Sequence, residues 1–320
     1  MPSAKSDCLY AGSTAVVIGG GLLGGSWAAL FLVNGLKVII CDRDPDLAIN
    51  ARAIINGALP ALWALGYSEA RVDDNLSFEG DVAAAVATAD IIQECGPDEV
   101  ESKQALWKAI EAAAPGVALL CSSSSLIPAS VQGARMNHPG RLVIGHPFEA
   151  PHIMPLVEVV PAPHTHPAVT DRAIAFYRGI GKTAVAVRRE IGGYVANRLR
   201  IAIFQEAVHL ISEGVVTLDE LDQVVTGSLG IVCASCGPFL SLHIAEGPGG
   251  LMKFLGRPGP ATESAWGRLG ILPIDQATKR LMSDQLETSY AASSFLALAE
   301  LKEEREIAVI NGLARIESAV

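Results

Sequence analysis

Residues 14–44 read TAVVIGGGLLGGSWAALFLVNGLKVIICDRD. A short β-branched run, Ala15 to Ile18, enters a glycine cluster. A helical stretch follows to Asn34-Gly35, and a second β-branched run, Val38 to Ile40, ends on Asp42. This punctuation predicts a βαβ unit. Gly19-Gly20-Gly21-Leu22-Leu23-Gly24 fits G-x-G-x-x-G. Gly19 permits the tight turn and Gly21 lets backbone approach a pyrophosphate. Gly24 lets the helix pack close to the strand while its first residues, Leu22 and Leu23, face the phosphates. Alone, the hexapeptide could be a structural turn. Here it lies between strand and helix, with an acid ending the next strand eighteen residues after Gly24, so it reads as a dinucleotide site. Asp42 can accept from both adenosine ribose hydroxyls and would repel a 2′-phosphate, which favours NAD over NADP. Arg43 beside it works against that choice.

The alternation continues with ADIIQE from Ala89, a helix from about Val100 to Ala114, then VALLCSSSS, RLVIGH and later KTAVAV. Strands that are nearly continuous apolar runs imply a parallel sheet covered on both faces. After Gly192-Gly193 the strand signal stops. YVANRLRIAIFQEAVHLISEG is amphipathic and ended by Gly214, Thr217 and Glu220 form a capping-box pair, and Gly/Pro breaks such as GPGG and GRPGPA separate the later helical stretches. The expected fold class is α/β, a Rossmann-type doubly wound, mostly parallel sheet over residues 1–191, followed by an all-α C-terminal domain over residues 192–320.

Composition narrows the function. The net charge of -10 and a pI near 5.2 argue against a nucleic-acid partner. Half the residues are hydrophobic and the mean hydropathy is +0.35, yet the apolar runs break before the ~20 residues of a membrane span. With no export signal and six scattered cysteines, the expectation is a cytoplasmic protein with reduced thiols, acting on a small molecule. Cys233 and Cys236 lack a second pair, so they read as structural thiols, and no metal site is expected.

GHPFEAPHIMPLVEV, residues 145–159, carries the chemistry. His146 follows the strand RLVIG, where a doubly wound sheet presents ligands. Glu158 lies in the apolar run PLVEVV, where an unpaired carboxylate is expensive to bury. A His146–Glu158 dyad relieves that cost, fixes the imidazole tautomer and suits a general acid/base.

In IIQECGPDEVESK, CSSSSL, GHPFEAPHIMPLVEVV, GGYVANRL and GPF, in this order after the glycine fingerprint, the chain resembles the L-3-hydroxyacyl-CoA dehydrogenase family. It is most similar to the short members of the lambda-crystallin, L-gulonate 3-dehydrogenase and L-carnitine dehydrogenase branch. The resemblance implies His146 and Glu158 as catalytic pair, Ser124 as the substrate-contacting serine and Asn197 at the start of the helical domain. It places Glu94 near the nicotinamide side of the cofactor, with Lys103 and Ser122 among the cofactor contacts. The implied reaction is NAD-dependent interconversion of a secondary alcohol, a 3-hydroxyacyl or 3-hydroxy acid derivative, and its ketone. A homodimer through the helical domain is implied too, and the apolar surface of those helices points the same way.

Two positions depart from the family. Glu149-Ala150 replaces an Asn-Pro, and Val232 stands near where the short relatives carry a carboxylate-binding arginine. No Lys or Arg occurs between Arg200 and Lys253. Both positions are expected to line the substrate pocket. They open a second reading, a ketone or imine reductase or amine dehydrogenase acting on a neutral substrate, with Glu149 facing a cationic nitrogen. A third is a non-catalytic, crystallin-like nucleotide-binding protein, against which the joint presence of Ser124, His146, Glu158 and Asn197 speaks.

Overall fold

The apolar run at the start of the quoted stretch forms strand β1 (Thr14–Ile18), with Ala15, Val16 and Val17 fully buried. The computed structural model describes residues 8–44, 46–68, 73–256, 269–270 and 274–317. Most of GRPGPA and the middle of GYSEARVDDN lie outside them. Helix α1 (Leu22–Val33) is buried from Gly24 onward, as a helix apolar all round must be. It stops where Asn34 Nδ2 donates to the Leu30 carbonyl at 2.8 Å and Gly35 turns left-handed at φ 77°. Strand β2 (Lys37–Cys41) returns parallel to β1 with Cys41 opposite Ile18, which brings Asp42 to the sheet's carboxyl edge. The predicted βαβ unit is present.

The chain continues through α2 (Leu47–Ala64), β3 (Leu76–Glu79), α3 (Val82–Val86), β4 (Ile91–Glu94), α4 (Val100–Ala113), β5 (Leu119–Ser122), α5 (Ala129–Gln132), β6 (Leu142–Pro147), β7 (Leu156–Pro161), α6 (Pro167–Gly179) and β8 (Thr183–Ala186). The strands form one sheet in the order β3-β2-β1-β4-β5-β6-β7-β8. Strand order reverses between β1 and β4, and ligands of such sheets bind beyond the carboxyl ends at that switch point. Every pair is parallel except β6 with β7. That antiparallel pair sets His146 directly opposite Glu158, and directly opposed side chains share a face with Cβ atoms about 4.5–5.5 Å apart.

Two compact units divide at Asn197 and Arg198. Residues 194–196 stay with the first because Tyr194 Oη donates to the Ser124 carbonyl and the Val195 and Ala196 amides donate to Glu158. The described residues beyond are helical: α7 (Ala196–Ser212), α8 (Leu218–Gly227), α9 (Leu229–Ala245), α10 (Gly250–Leu255), α11 (Gln276–Tyr290) and α12 (Phe295–Glu317). The Thr217–Glu220 capping box opens α8 as its sequence predicts. Helix α9 is kinked at Gly237-Pro238, where Gly237 takes φ 67°. No residue of α8, α9 or α11 is buried. Among the described residues no single helix is long and apolar enough to cross a membrane, and α8 with α9 meets that test only as a pair bent by 50°.

Candidate active site

The turn after β1 is shaped for close backbone approach. Gly19 sits at φ 100°, and a Cβ there would lie 3.0 Å from the Cys95 carbonyl carbon. A Cβ on Gly24 would fall 1.8 Å from the Gly19 carbonyl oxygen, whereas over Gly21 the space is open. Helix α1 begins at Gly21 with no side-chain cap, so its first amides suit an anion. Asp42 steadies the turn, since its Oδ2 accepts from Gly20 N at 2.7 Å and its Oδ1 from Arg43 N at 2.6 Å. Leu22 and Arg43 are exposed at this edge. These residues fit a dinucleotide: open space over the middle glycine, unpaired helix amides, and a carboxylate held at the end of β2. Gly24→Ala is expected to destabilise the first unit by roughly 1–3 kcal/mol through overpacking and to weaken NAD binding, readable by thermal melts with and without cofactor.

Glu94, at the carboxyl end of β4, is fully buried. Lys103 Nζ donates to its two oxygens at 2.7 and 2.8 Å, Gly96 N donates to Oε1 at 2.7 Å and Ser122 Oγ to Oε2 at 2.7 Å. Lys103, also buried, donates to the Gly96 carbonyl at 3.0 Å and stands 3.6 Å from Asp98. The structure thus joins Glu94, Lys103 and Ser122 to one another, and together they shape the 95–98 loop that walls the glycine turn.

The dyad residues are both buried. His146 Nδ1 and Glu158 Oε2 are 3.0 Å apart. The second carboxylate oxygen accepts from Val195 N at 2.8 Å and Ala196 N at 3.1 Å, where α7 begins. Burial alone would raise the Glu158 carboxyl, but the His146 hydrogen bond and these two amides outweigh it and hold it below its ordinary value. An ionised carboxylate has no proton to give, so Nδ1 carries the hydrogen, and in the neutral form of the ring Nε2 is the acceptor.

The hydroxyls of Ser124 and Ser125 have different partners. Ser124, expected to contact substrate, donates its hydroxyl to Asp98 Oδ1 at 2.5 Å and accepts from Ile127 N at 2.9 Å. The hydroxyl on the imidazole is that of Ser125, 3.1 Å from Nε2. Tyr194 closes this side, its ring 5.0 Å from the His146 ring and its backbone at φ 49°. Asn197 lies in the first turn of α7, next to Ala196. Glu149 stands exposed on the β6–β7 connection at φ 56°, and Val232 lies on α9 in the second unit. The same connection is tied to α1, because His152 N donates to Ser26 Oγ at 3.1 Å and that hydroxyl lies 2.6 Å from His152 Nδ1. Burial, aided by Lys182, pushes His152 down to about 4, so the ring stays neutral. Ser125, Asp98 and Tyr194 escaped the sequence reading. Four consecutive serines give no sign of which faces the histidine. All six cysteines are free thiols, and among the described residues no cluster of three His, Cys, Asp or Glu could hold a metal ion.

Residues 14–191 match the NAD-binding domain of 3-hydroxyacyl-CoA dehydrogenase, and residues 193–256 match its C-terminal domain. An L-carnitine dehydrogenase of Streptomyces griseus is 37% identical over 296 residues, covering 92% of this chain and 88% of its own. An L-carnitine dehydrogenase of Nocardiopsis dassonvillei is 35% identical over 306 residues, covering 96% and 93%. The crystal structure of 5-formyl-3-hydroxy-2-methylpyridine 4-carboxylic acid 5-dehydrogenase, an NAD+-dependent dismutase, is similar with a TM-score of 0.77 at 26% identity, over 96% of this chain and 99% of that one.

Proposed function

The chain belongs to the 3-hydroxyacyl-CoA dehydrogenase family and is an NAD-dependent oxidoreductase, and on that premise we propose that it interconverts the secondary alcohol of a 3-hydroxy acid derivative and its ketone, with His146 and Glu158 as acid/base pair. The observation that carries this reading is the buried 3.0 Å contact of His146 Nδ1 with Glu158, which leaves Nε2 as a proton acceptor. When bound, NAD supplies the hydride acceptor. Nε2 takes the hydroxyl proton in oxidation and returns it in reduction. Glu158, held by two backbone amides, stabilises the imidazolium without turning away. Asn197, at the start of α7, adds a hydrogen-bonding group for the reacting oxygen.

Asp42 is the residue proposed to select NAD. Its Oδ1 accepts from the Arg43 and Asp44 amides and its Oδ2 from the Gly20 amide, leaving a lone pair on Oδ2 for a ribose hydroxyl. Asp42→Ala is expected to raise the KM for NAD about 10- to 100-fold, the loss of a hydrogen bond to a charged group, and to narrow the preference over NADP. Steady-state kinetics with both cofactors measure it.

Two features bear on the substrate. The left-handed backbone of Glu149 costs a side-chain-bearing residue roughly 1–2 kcal/mol, and such strain is kept where a site needs the residue. Three positions after His146, a carboxylate there suits a cationic nitrogen, which the L-carnitine of the named relatives carries. Val232 stands near where the short relatives are expected to carry a carboxylate-binding arginine, and no Lys or Arg occurs between Arg200 and Lys253, which favours neutral or cationic 3-hydroxy compounds over dianionic ones. A homodimer through the helical unit is supported by its uncovered apolar side chains, among them Phe239 at 72% and Phe295 at 84% exposure. The test is NADH formation with L-carnitine and with a neutral 3-hydroxy ester, and NADH oxidation with acetoacetyl-CoA, each beside a His146→Ala control. No turnover of any of them, with NAD still bound, would sink the reading.

A further inference from the structure

Tyr194 is buried, 2% exposed, yet carries a left-handed backbone at φ 49°, directly after Gly193 at φ 74°. A bulky side chain at positive φ is a rare outlier, and it persists only where its surroundings impose it. What surrounds Tyr194 is the pair of His146 and Glu158, whose role as acid/base is the reading on which this inference rests. The Tyr194 ring lies 5.0 Å from the His146 ring, tilted by 56°. Its Oη donates to the Ser124 carbonyl at 3.0 Å. Its backbone N closes a turn by donating to the Ile191 carbonyl at 3.1 Å. The next two amides, Val195 N and Ala196 N, donate to Glu158 Oε1 at 2.8 and 3.1 Å. A helix opens with amides that have no partner inside it. At α7 the carboxylate of the dyad supplies that partner, at the end where a helix favours negative charge. Tyr194 itself carries no proton in the reaction. Burial, aided by the carboxylates of Glu190, Asp98 and Glu158, raises its phenol well above the ordinary value, so it stays a hydrogen-bond donor.

We propose that Tyr194 is the positioning residue of the dyad: its left-handed turn aims the Val195 and Ala196 amides at Glu158, and its ring holds the face of the His146 imidazole. The two halves support each other. The buried ring and the hydroxyl bond to Ser124 keep residue 194 in a conformation that its backbone alone disfavours. That conformation turns the following peptide planes so that both amides meet one carboxylate oxygen, which leaves the other oxygen to the imidazole. In the right-handed region the same planes would turn away, and Glu158 would lose both amides and keep His146. The titratable groups that face Glu158 are His146 on β6 and Tyr194, and those that face Tyr194 are Glu190, Asp98 and Glu158. Burial works to raise the Glu158 carboxyl, while the His146 bond and the two amides work to lower it. Withdrawing the amides therefore moves it upward.

The experiment compares Tyr194→Ala, Tyr194→Gly and Tyr194→Phe on the substrate that the wild type turns over best, beside His146→Ala. Carbon-13 NMR follows the Glu158 carboxyl in the substrate-free protein, its resonance assigned by its loss in Glu158→Gln. Tyr194→Ala lacks the ring and has nothing to hold a left-handed backbone. It is expected to lower kcat by about 100-fold, the scale of a misplacement near 1 Å. The KM for NAD should change little, since the glycine turn and Asp42 follow other strands, and the Glu158 carboxyl should titrate at higher pH. Glycine adopts the left-handed conformation without steric cost, so Tyr194→Gly should keep the wild-type carboxyl titration. Its kcat is expected to fall by about 10-fold through loss of the ring alone. Tyr194→Phe keeps the ring and leaves the Ser124 carbonyl without that donor, which should lower Tm and reduce kcat by about threefold, the worth of one neutral hydrogen bond. Tyr194→Ala turning over within about threefold of wild type, or keeping the wild-type carboxyl titration, would overturn the proposal. Where Tyr194→Ala does not fold, Tyr194→Gly decides, because undiminished turnover without the ring overturns it equally. Full activity in His146→Ala would instead overturn the acid/base reading. The carboxyl titrations need no turnover, so the two failures are distinct.

Discussion

Replacing His146 with alanine lowers kcat for alcohol oxidation by about 10³- to 10⁴-fold, the upper range for a lost general base, while the dissociation constant for NAD changes little. His146 is on β6, whereas the glycine turn and Asp42 follow β1 and β2, so cofactor binding and proton transfer rest on different elements. Glu158→Gln tests the second half of the pair through its geometry. Glu158 uses one oxygen for the imidazole and the other for the amides of Val195 and Ala196. A glutamine has a single acceptor oxygen, so it can serve the histidine or the start of α7 but must turn an N–H toward the other. The expected loss in kcat is about 100-fold, within the range for general acid–base groups. Steady-state rates with quenching of protein fluorescence by NADH measure both variants. A His146→Ala enzyme within tenfold of wild type would remove the dyad from the mechanism.

Much of this site is legible in the sequence because glycines, strand runs and a buried acid each have few explanations. The βαβ unit lies where TAVVIGGG and KVIICDRD put it, and His146 meets Glu158 twelve residues on. What the sequence does not show is pairing across the sheet. Helix α2 and strand β3 lie in a stretch with a proline at 60 and only four strand residues, signals too weak for periodicity to isolate. The antiparallel turn of β7 is invisible in PLVEVV itself, since an apolar strand reads alike in either direction. The four serines from Ser122 to Ser125 are chemically identical. Backbone direction alone sends their hydroxyls to Glu94, to Gln93 and Trp27, to Asp98 and to His146 in turn.

Lys103→Met carries the largest stability change expected of any single substitution considered. The Lys103 ammonium is 2% exposed and Glu94 is fully buried, and the cation reaches both carboxylate oxygens. Removing it leaves Glu94 with the Ser122 hydroxyl and the Gly96 amide but no countercharge, and an uncompensated buried charge costs about 3–5 kcal/mol. For a unit near two hundred residues, each kcal/mol moves Tm by about 2–4 °C, so a fall on the order of 10 °C is expected. The reverse substitution does not mirror it fully, because in Glu94→Gln the ammonium keeps the Gly96 carbonyl and stands 3.6 Å from Asp98. The double variant Glu94→Gln with Lys103→Met removes both charges and leaves an amide oxygen for Ser122 or Gly96. It should recover most of the loss, since a buried pair replaced by neutral groups of similar size is often close to neutral in stability. Thermal melts of the two single variants and the double variant close the cycle. If the double variant is no more stable than Lys103→Met, the pair is not coupled through charge. The 95–98 loop would then owe its shape to the Ser122 and Gly96 hydrogen bonds alone.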